Sequence, residues 1–392
     1  MRWVLLIFVC VSRLVLAQDA RLDALRSSLI AIRHEEKNDV RGATPQLTVV
    51  KHQLRDWIES RLTQLPQRGD AEAFVRPLNT ELHAAGLVCE YEPGKLPCPE
   101  WYDMGFIEDV RIQPNTGFLI VQTGVGIECG YDESAYMYRW SGEGWNRVWQ
   151  SEQNTYIKGK YFPQAFAAIR LSPFNRDNDY LVLTLGYETW CASNWHDVYY
   201  RVFRLGPDLL APPLVEGSSW AFYPQNVQGS IGRNDVLIEF TVAGGNHSRE
   251  AVRHYVIDDR KVQRVDPLAL RPPDFIEEWM NSHWKDAVHW SESTNRGLML
   301  DWHSRLNKEK GCCQLIFPTM HCPKSPDLWQ VGMDFSAPPT PIGQAPKSSV
   351  YFLVRWRPPY QFTMVQAKDS PFPGCTEEDR KADEEHRTLF PH

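Results

Sequence analysis

The sequence predicts a mostly-β protein of four-stranded antiparallel units, with an N-terminal helical segment and a helical insertion before the last strands. Three observations carry that expectation. First, Phe118 to Trp140, FLIVQTGVGIECGYDESAYMYRW, returns without a gap at Tyr180 to Val202, YLVLTLGYETWCASNWHDVYYRV. Phe118 then matches Tyr180, Gly124 matches Gly186, Cys129 matches Cys191, Tyr138 matches Tyr200 and Arg139 matches Arg201. Second, in each copy an apolar run ends at a glycine, a polar loop follows and an aromatic-rich run returns, which is strand, loop and strand. Third, helical spacing of apolar residues is confined to the residues before the repeat and to one stretch after it.

Met1 and Arg2 precede an apolar stretch, Trp3 to Val11, and small or apolar residues close it at Val15-Leu16-Ala17. This reads as a signal peptide over residues 1–17, which places the mature chain outside the cell or in a periplasm. No later segment approaches about 20 apolar residues, so no membrane span is expected in the mature chain. Residues 18–100 read as a helical segment. Leu22, Leu25, Leu29 and Ile32 keep three- and four-residue spacing, as do Val50, Leu54, Trp57 and Ile58. Gly42 to Pro45 and Gln67 to Asp70 break the helices, and Gly86 suits the end of the third.

Residues 101–270 read as the repeat β domain. Val110 to Pro114 precedes the first copy and Ile169 to Pro173 the second; Ser141-Gly142-Glu143-Gly144 turns the first into a further strand, Trp145 to Gln150. A third copy runs through Val236 to Phe240, Val252 to Ile257 and Val262 to Val265. Residues 271–375 hold the helical insertion and a fourth β unit. Pro272-Pro273-Asp274 opens a helix with Phe275, Ile276, Trp279 and Met280 on one face, and Leu298, Trp302 and Leu306 mark a second. Leu328 to Phe335, Val350 to Arg357 and Phe362 to Gln366 read as the fourth set of strands. Residues 376–392 are a charged tail, expected to be mobile.

Units of about four short strands resemble β-propeller blades, over residues 105–265 and in weaker form over 312–367. Neither the WD nor the kelch signature is present, so the resemblance implies an architecture and no function. A β-sandwich with a separate α+β C-terminal domain is the alternative arrangement.

The net charge of −7 and the absence of a basic cluster argue against a nucleic-acid partner. No GxSxG, HExxH, CxxC pair, phosphate-binding loop or dinucleotide fingerprint occurs, and no cofactor is implied. In a repeat, equivalent loops emerge together. The candidate ligand-binding residues are therefore Tyr131, Asp132, Glu133, Trp190, Asn194, Trp195, His196, Asp197, His247 and Glu250. Two classes of function follow. One is a non-catalytic binding protein for a glycan, a peptide or a cell-surface partner, with Trp190, Trp195 and Tyr131 as stacking platforms. The other is a glycan hydrolase with Asp132, Glu133, Asp197 and Glu250 as candidate acids. His283, His289 and His303 each adjoin a Trp and read as packing residues, since no two share a helix face.

Behind the signal peptide stand eight cysteines: Cys89, Cys98, Cys129, Cys191, Cys312, Cys313, Cys322 and Cys375. An even count in that context favours disulfides. Cys129 and Cys191 hold the same place in consecutive copies: either they pair, leaving Cys89 with Cys98 and the last four among themselves, or both are free, buried cysteines filling the same hole in each unit. Non-reducing peptide mapping checks this. A species joining the Cys129 and Cys191 peptides supports the bridge; alkylation of both without reduction removes it.

Overall fold

The computed structural model describes residues 20–32, 45–66, 70–88, 105–115, 117–127, 130–154, 164–174, 180–189, 195–206, 209, 211–222, 226–244, 247–258, 261–308, 314–335, 348–357 and 360–383. The signal-peptide reading falls outside them. The chain divides into two compact units, residues 1–216 and 217–392.

The first unit begins with three helices, α1 (20–32), α2 (Gln46–Leu62) and α3 (Ala71–Ala84). Asp70 caps α3 by accepting from the Glu72 N–H at 3.0 Å, and Gly86, at φ +66°, takes the left-handed turn beyond its end. A meander follows in the order β1 (Arg111–Asn115), β2 (Phe118–Ile127), β3 (Gly130–Trp140) and β4 (Trp145–Ser151). The near-continuous apolar run of β2 has a simple cause: both faces are covered. Leu119, Val121, Val125 and Ile127 join Leu47, Val50, Leu54 and Trp57 of α2 in one core. Phe118 and Ile120 face the other way and pack with Met137, Trp149, Phe166, Ile169 and Val182.

β3 alternates in the same manner, but its helix-facing side is polar: Asp132, Tyr136 and Tyr138. α2 answers with Lys51, Arg55 and Glu59, one helical turn apart. Lys51 Nζ lies 2.6 Å from Asp132 Oδ2, with both side chains almost fully buried, and it donates to the Gln153 carbonyl at 3.0 Å. Tyr136 donates to the buried Glu152, which Arg55 and His52 also contact, and Tyr138 donates to Glu59 at 3.1 Å. Burial alone would raise the Glu152 carboxyl; hydrogen bonds from Tyr136 and Asn154, with the Arg55 charge, overcome it and hold it below the usual range.

The second copy forms β5 (Gln164–Leu171), β6 (Leu181–Glu188) and β7 (Trp195–Arg204), again consecutive antiparallel pairs. β6 repeats the buried character of β2, and Phe118 meets Tyr180 edge-on at 4.9 Å between ring centres. The gapless match fails in register, however. Gly124 faces Glu133, whereas Gly186 faces Tyr199, not Trp195, its counterpart in the gapless match. The return strand is displaced because the second hairpin has the longer connection, and loop length sets register. The repeated arginines are structural: Arg139 lies over the Phe118 ring, and Arg201 lies over Tyr199 while donating to Glu216 at 2.6 Å.

In the second unit β9 (Gln228–Ile231), β10 (Asp235–Gly244), β11 (His247–Asp258) and β12 (Lys261–Arg264) form a third meander; Ala221 of β8 (Val215–Phe222) also pairs with β10. β9 carries no apolar alternation and is not legible as a strand in the sequence. The insertion supplies α4 (Pro272–Asn281), α5 (Trp284–Ala287) and α6 (Arg296–Lys308). Phe275, Ile276 and Trp279 are buried as expected, and in α6 Leu306 and the partly buried Trp302 pack on the same core while Leu298 does not. Met299, His303 and Leu306 are buried, while Leu298 is exposed. His303 packs edge-on to Trp279 at 5.1 Å, and its Nε2 lies 3.0 Å from the Ser282 carbonyl, so a polar residue sits within the apolar face.

β13 (Gln314–Ile316), β14 (Met320–His321), β15 (Leu328–Phe335), β16 (Ser348–Arg357) and β17 (Gln361–Lys368) make the last sheet. Cys322 and Cys375 form a disulfide, so these two partner each other within the expected group of four. The other six cysteines lie outside the described residues, although Gly130 and Thr189, close to Cys129 and Cys191 in sequence, touch. The start of the charged tail is tied down: β18 (Glu377–Glu378) pairs with β14, Trp329 Nε1 donates to Asp379 at 3.0 Å, and α7 (Arg380–Asp383) buries Ala382. Expected mobility therefore does not describe residues 376–383; the neighbouring disulfide holds them against the sheet. Among the described residues no helix is long and apolar enough to cross a membrane.

Lys51→Met should destabilise the first unit by about 3–5 kcal/mol in urea unfolding, because it leaves the Asp132 carboxylate buried without its counter-charge. Pairing it with Asp132→Leu should recover a large part of the loss. A single-variant loss below about 1 kcal/mol would mean that water reaches the pair.

Candidate functional site

The alternation of β3 sends adjacent acids to opposite faces. Asp132 meets α2, whereas Glu133 projects toward β5, where its Oε2 accepts from the Phe166 backbone N–H at 2.6 Å. Its Oε1 accepts from Arg111 of β1 at 2.7 Å. Segment 105–110, which leads into β1, brings Glu108 to the same place: the same guanidinium nitrogen of Arg111 donates to Glu108 Oε2 at 3.2 Å and so bridges the two carboxyl groups. The fit needs a glycine opposite. A Cβ on Gly124 would stand 2.7 Å from Glu108 Oε2.

Two carboxyl groups in contact cannot both ionise easily. Burial and then the Glu133 charge push Glu108 up to about 7, with Asp109 adding to the shift and Arg111 opposing it. Burial also raises Glu133, against Arg111 and the Phe166 N–H. Near neutrality the pair therefore holds a shared proton. Tyr131 and Tyr187 stand beside it, and burial together with these carboxylates raises both phenols. The site is partly open: Arg111 is 45% exposed and Glu108 24%, while Glu133 is 7% exposed.

Of the residues expected from sequence, Tyr131 and Glu133 belong to this cluster. His196 is close by through Tyr187, with ring centres 6.0 Å apart, and its Nδ1 lies 2.8 Å from the Glu188 carbonyl. Asp132 is buried against Lys51 on the opposite face of the strand. Asp197 is half-buried in β7. Trp195 opens β7 and His247 opens β11, with side chains outside the described residues, as are Trp190 and Asn194 altogether. Glu250 belongs to the second unit, where Thr241 donates to its Oε1 at 2.9 Å. Sequence reasoning missed Glu108, Arg111 and Tyr187. The one available signal was Gly124 inside a buried apolar strand, which marks a close approach by another group. Among the described residues no group of three or more His, Cys, Asp or Glu is placed to hold a metal ion.

No family model matches the chain, and no curated protein matches it. It is similar to a solved structure of a BT0996 RGII complex, at 8% identity over 66% of this protein and 72% of that one, with a TM-score of 0.20. A superposition that loose carries nothing over.

A carboxyl raised by folding contributes stability that is fully present below its unfolded pKa and is lost as pH rises toward the folded value. For Glu108 the loss runs from about 4.5 to about 7 and levels off above. Glu108→Gln keeps the shape and removes the titration. The difference in unfolding free energy between wild type and variant should shift by about 2 kcal/mol in favour of the variant across that window, after discounting for solvent screening. A pH-independent difference would remove the shared proton.

Proposed function

We propose that the protein is a secreted, non-catalytic binding protein whose propeller-like units present the Glu108–Glu133 site to a hydroxyl-rich ligand, a glycan. One observation carries this reading: three of the four candidate acids already have partners at short range. Asp132 is ion-paired with Lys51, Glu133 is held by Arg111 and the Phe166 N–H, and Glu250 accepts from Thr241. A glycosidase needs two carboxyl groups about 5 to 9 Å apart with the sugar between them, whereas here the Arg111 guanidinium stands between Glu108 and Glu133 and bonds to both. Carboxyl oxygens, a guanidinium and two tyrosine rings suit recognition instead. The acids and Arg111 fix hydroxyls, and the rings cover the C–H face of a sugar. The signal-like start of the sequence and the Cys322–Cys375 bridge support an oxidising compartment.

The test is a glycan panel and a peptide panel probed with the secreted chain, with bound sugars analysed afterwards by mass spectrometry. Saturable binding of an intact glycan, weakened at least about tenfold by Tyr131→Ala with Tyr187→Ala at unchanged thermal stability, is expected. Shortened glycans would replace this reading with the hydrolase, and binding confined to peptides would change the ligand class.

A further inference from the structure

Segment 105–110 lies between two elements of the first unit and is pinned to both. Toward β2, the Gly105 N–H donates to the Gly126 carbonyl at 3.1 Å, Gly126 N–H to Phe106 at 2.7 Å, and Glu108 N–H to Gly124 at 2.9 Å. Toward the end of α3, the Ile107 N–H donates to Leu87 at 2.8 Å, and Asn79 exchanges two hydrogen bonds with the Val110 backbone at 2.9 and 3.1 Å. Gly124 and Gly126 let it approach: a Cβ at either would stand 2.7 Å from a side-chain atom of Glu108 or Phe106. The segment is thus a strap between the helices and the sheet, and Glu108 is its side-chain contact with β3.

We infer that segment 105–110 is a pH-operated latch, closed while Glu108 and Glu133 share a proton and loosened when both are carboxylates. The shared proton makes the Glu108–Glu133 contact a hydrogen bond. Its loss puts two negative charges side by side, with Arg111 of β1 the cation that reaches both. The other ionisable groups facing the pair among the described residues are Asp109 on the strap, Tyr131 of β3 and Tyr187 of β6, none of which supplies positive charge. His83 of α3 lies 2.8 Å from Asp109 Oδ1 and is the ring that meets the strap from the helix side. Ile107 and Val110 of the strap stay buried in the core with Leu82 and Leu87, so the loosening is a local opening on the β2 side. The strap is joined to β2 by three backbone hydrogen bonds outside the regular β1–β2 ladder, which begins at Arg111 opposite Gln122. The inference stands on the strap and its carboxyl pair, independently of any glycan.

Hydrogen exchange of the full chain, read by mass spectrometry between pH 6 and 8.5 and corrected for intrinsic exchange rates, tests it. Protection of the Ile107, Glu108 and Gly126 amides should fall by about tenfold or more in the wild type while β6 stays unchanged. Glu108→Gln, and Glu133→Gln as a second variant if the first does not fold, should keep protection level across the range. His83→Gln should leave the fall in place. Constant wild-type protection overturns the latch. A fall that persists in the glutamine variants, or that vanishes with His83→Gln, places the titration elsewhere and overturns it equally.

Discussion

The first unit depends on a cation brought into a dry interface by a helix. β3 presents Asp132, Tyr136 and Tyr138 on the side where an apolar face would normally complete the core, and α2 covers them. An uncompensated carboxylate there would cost several kcal/mol, so Lys51 fixes where α2 sits along the strand. Leu47, Val50, Leu54 and Trp57 supply the burial; the ion pair supplies the alignment. Residues 45 to 62 are therefore part of the β core, which makes the helical segment integral to the sheet it covers.

The second unit meets the same problem with arginine. Glu278 of α4 is almost fully buried and is reached by Arg253 and Arg264, each at 2.7 Å, while Arg249 pairs with Glu277. Burial alone would raise Glu278, but Arg253, Arg264 and Arg249 hold it well below the usual carboxylate range. Planar guanidiniums from β11 and β12 converge on one carboxylate and lock α4 to the sheet, a geometry that the single ammonium of lysine does not provide. Arg264 also stacks on Trp290 at 5.3 Å, tying β12 to the middle of the insertion.

Against these closed pairs, Glu108 and Glu133 differ in kind. The structural acids each meet their own cations or phenols, whereas these two carboxyls share a single half-exposed arginine. Like charges in contact cost stability whenever both are ionised, and such a cost is tolerated where titration or ligand contact has a use. That contrast distinguishes the Glu108–Glu133 pair from the other buried carboxylates among the described residues, which are ion-paired or hydrogen-bonded within the fold.

The sequence by itself determined most of the elements, though not β9. Apolar spacing set the three N-terminal helices, and the glycine-ended apolar runs set β2 and β6. The turn at Ser141 to Gly144 set β4, and Pro272-Pro273 opened α4. These are local signals, read from period and turn chemistry within one window. Tertiary structure decided the register of the second hairpin, because a connection of unequal length shifts a return strand without altering its pattern. It also decided where each acid goes. Asp132 and Glu133 are neighbours in sequence and look interchangeable there, yet strand alternation sends one to Lys51 and the other to Glu108. Glu108 has no signature of its own, since its shifted proton affinity arises only from burial beside a second carboxyl more than twenty residues along the chain.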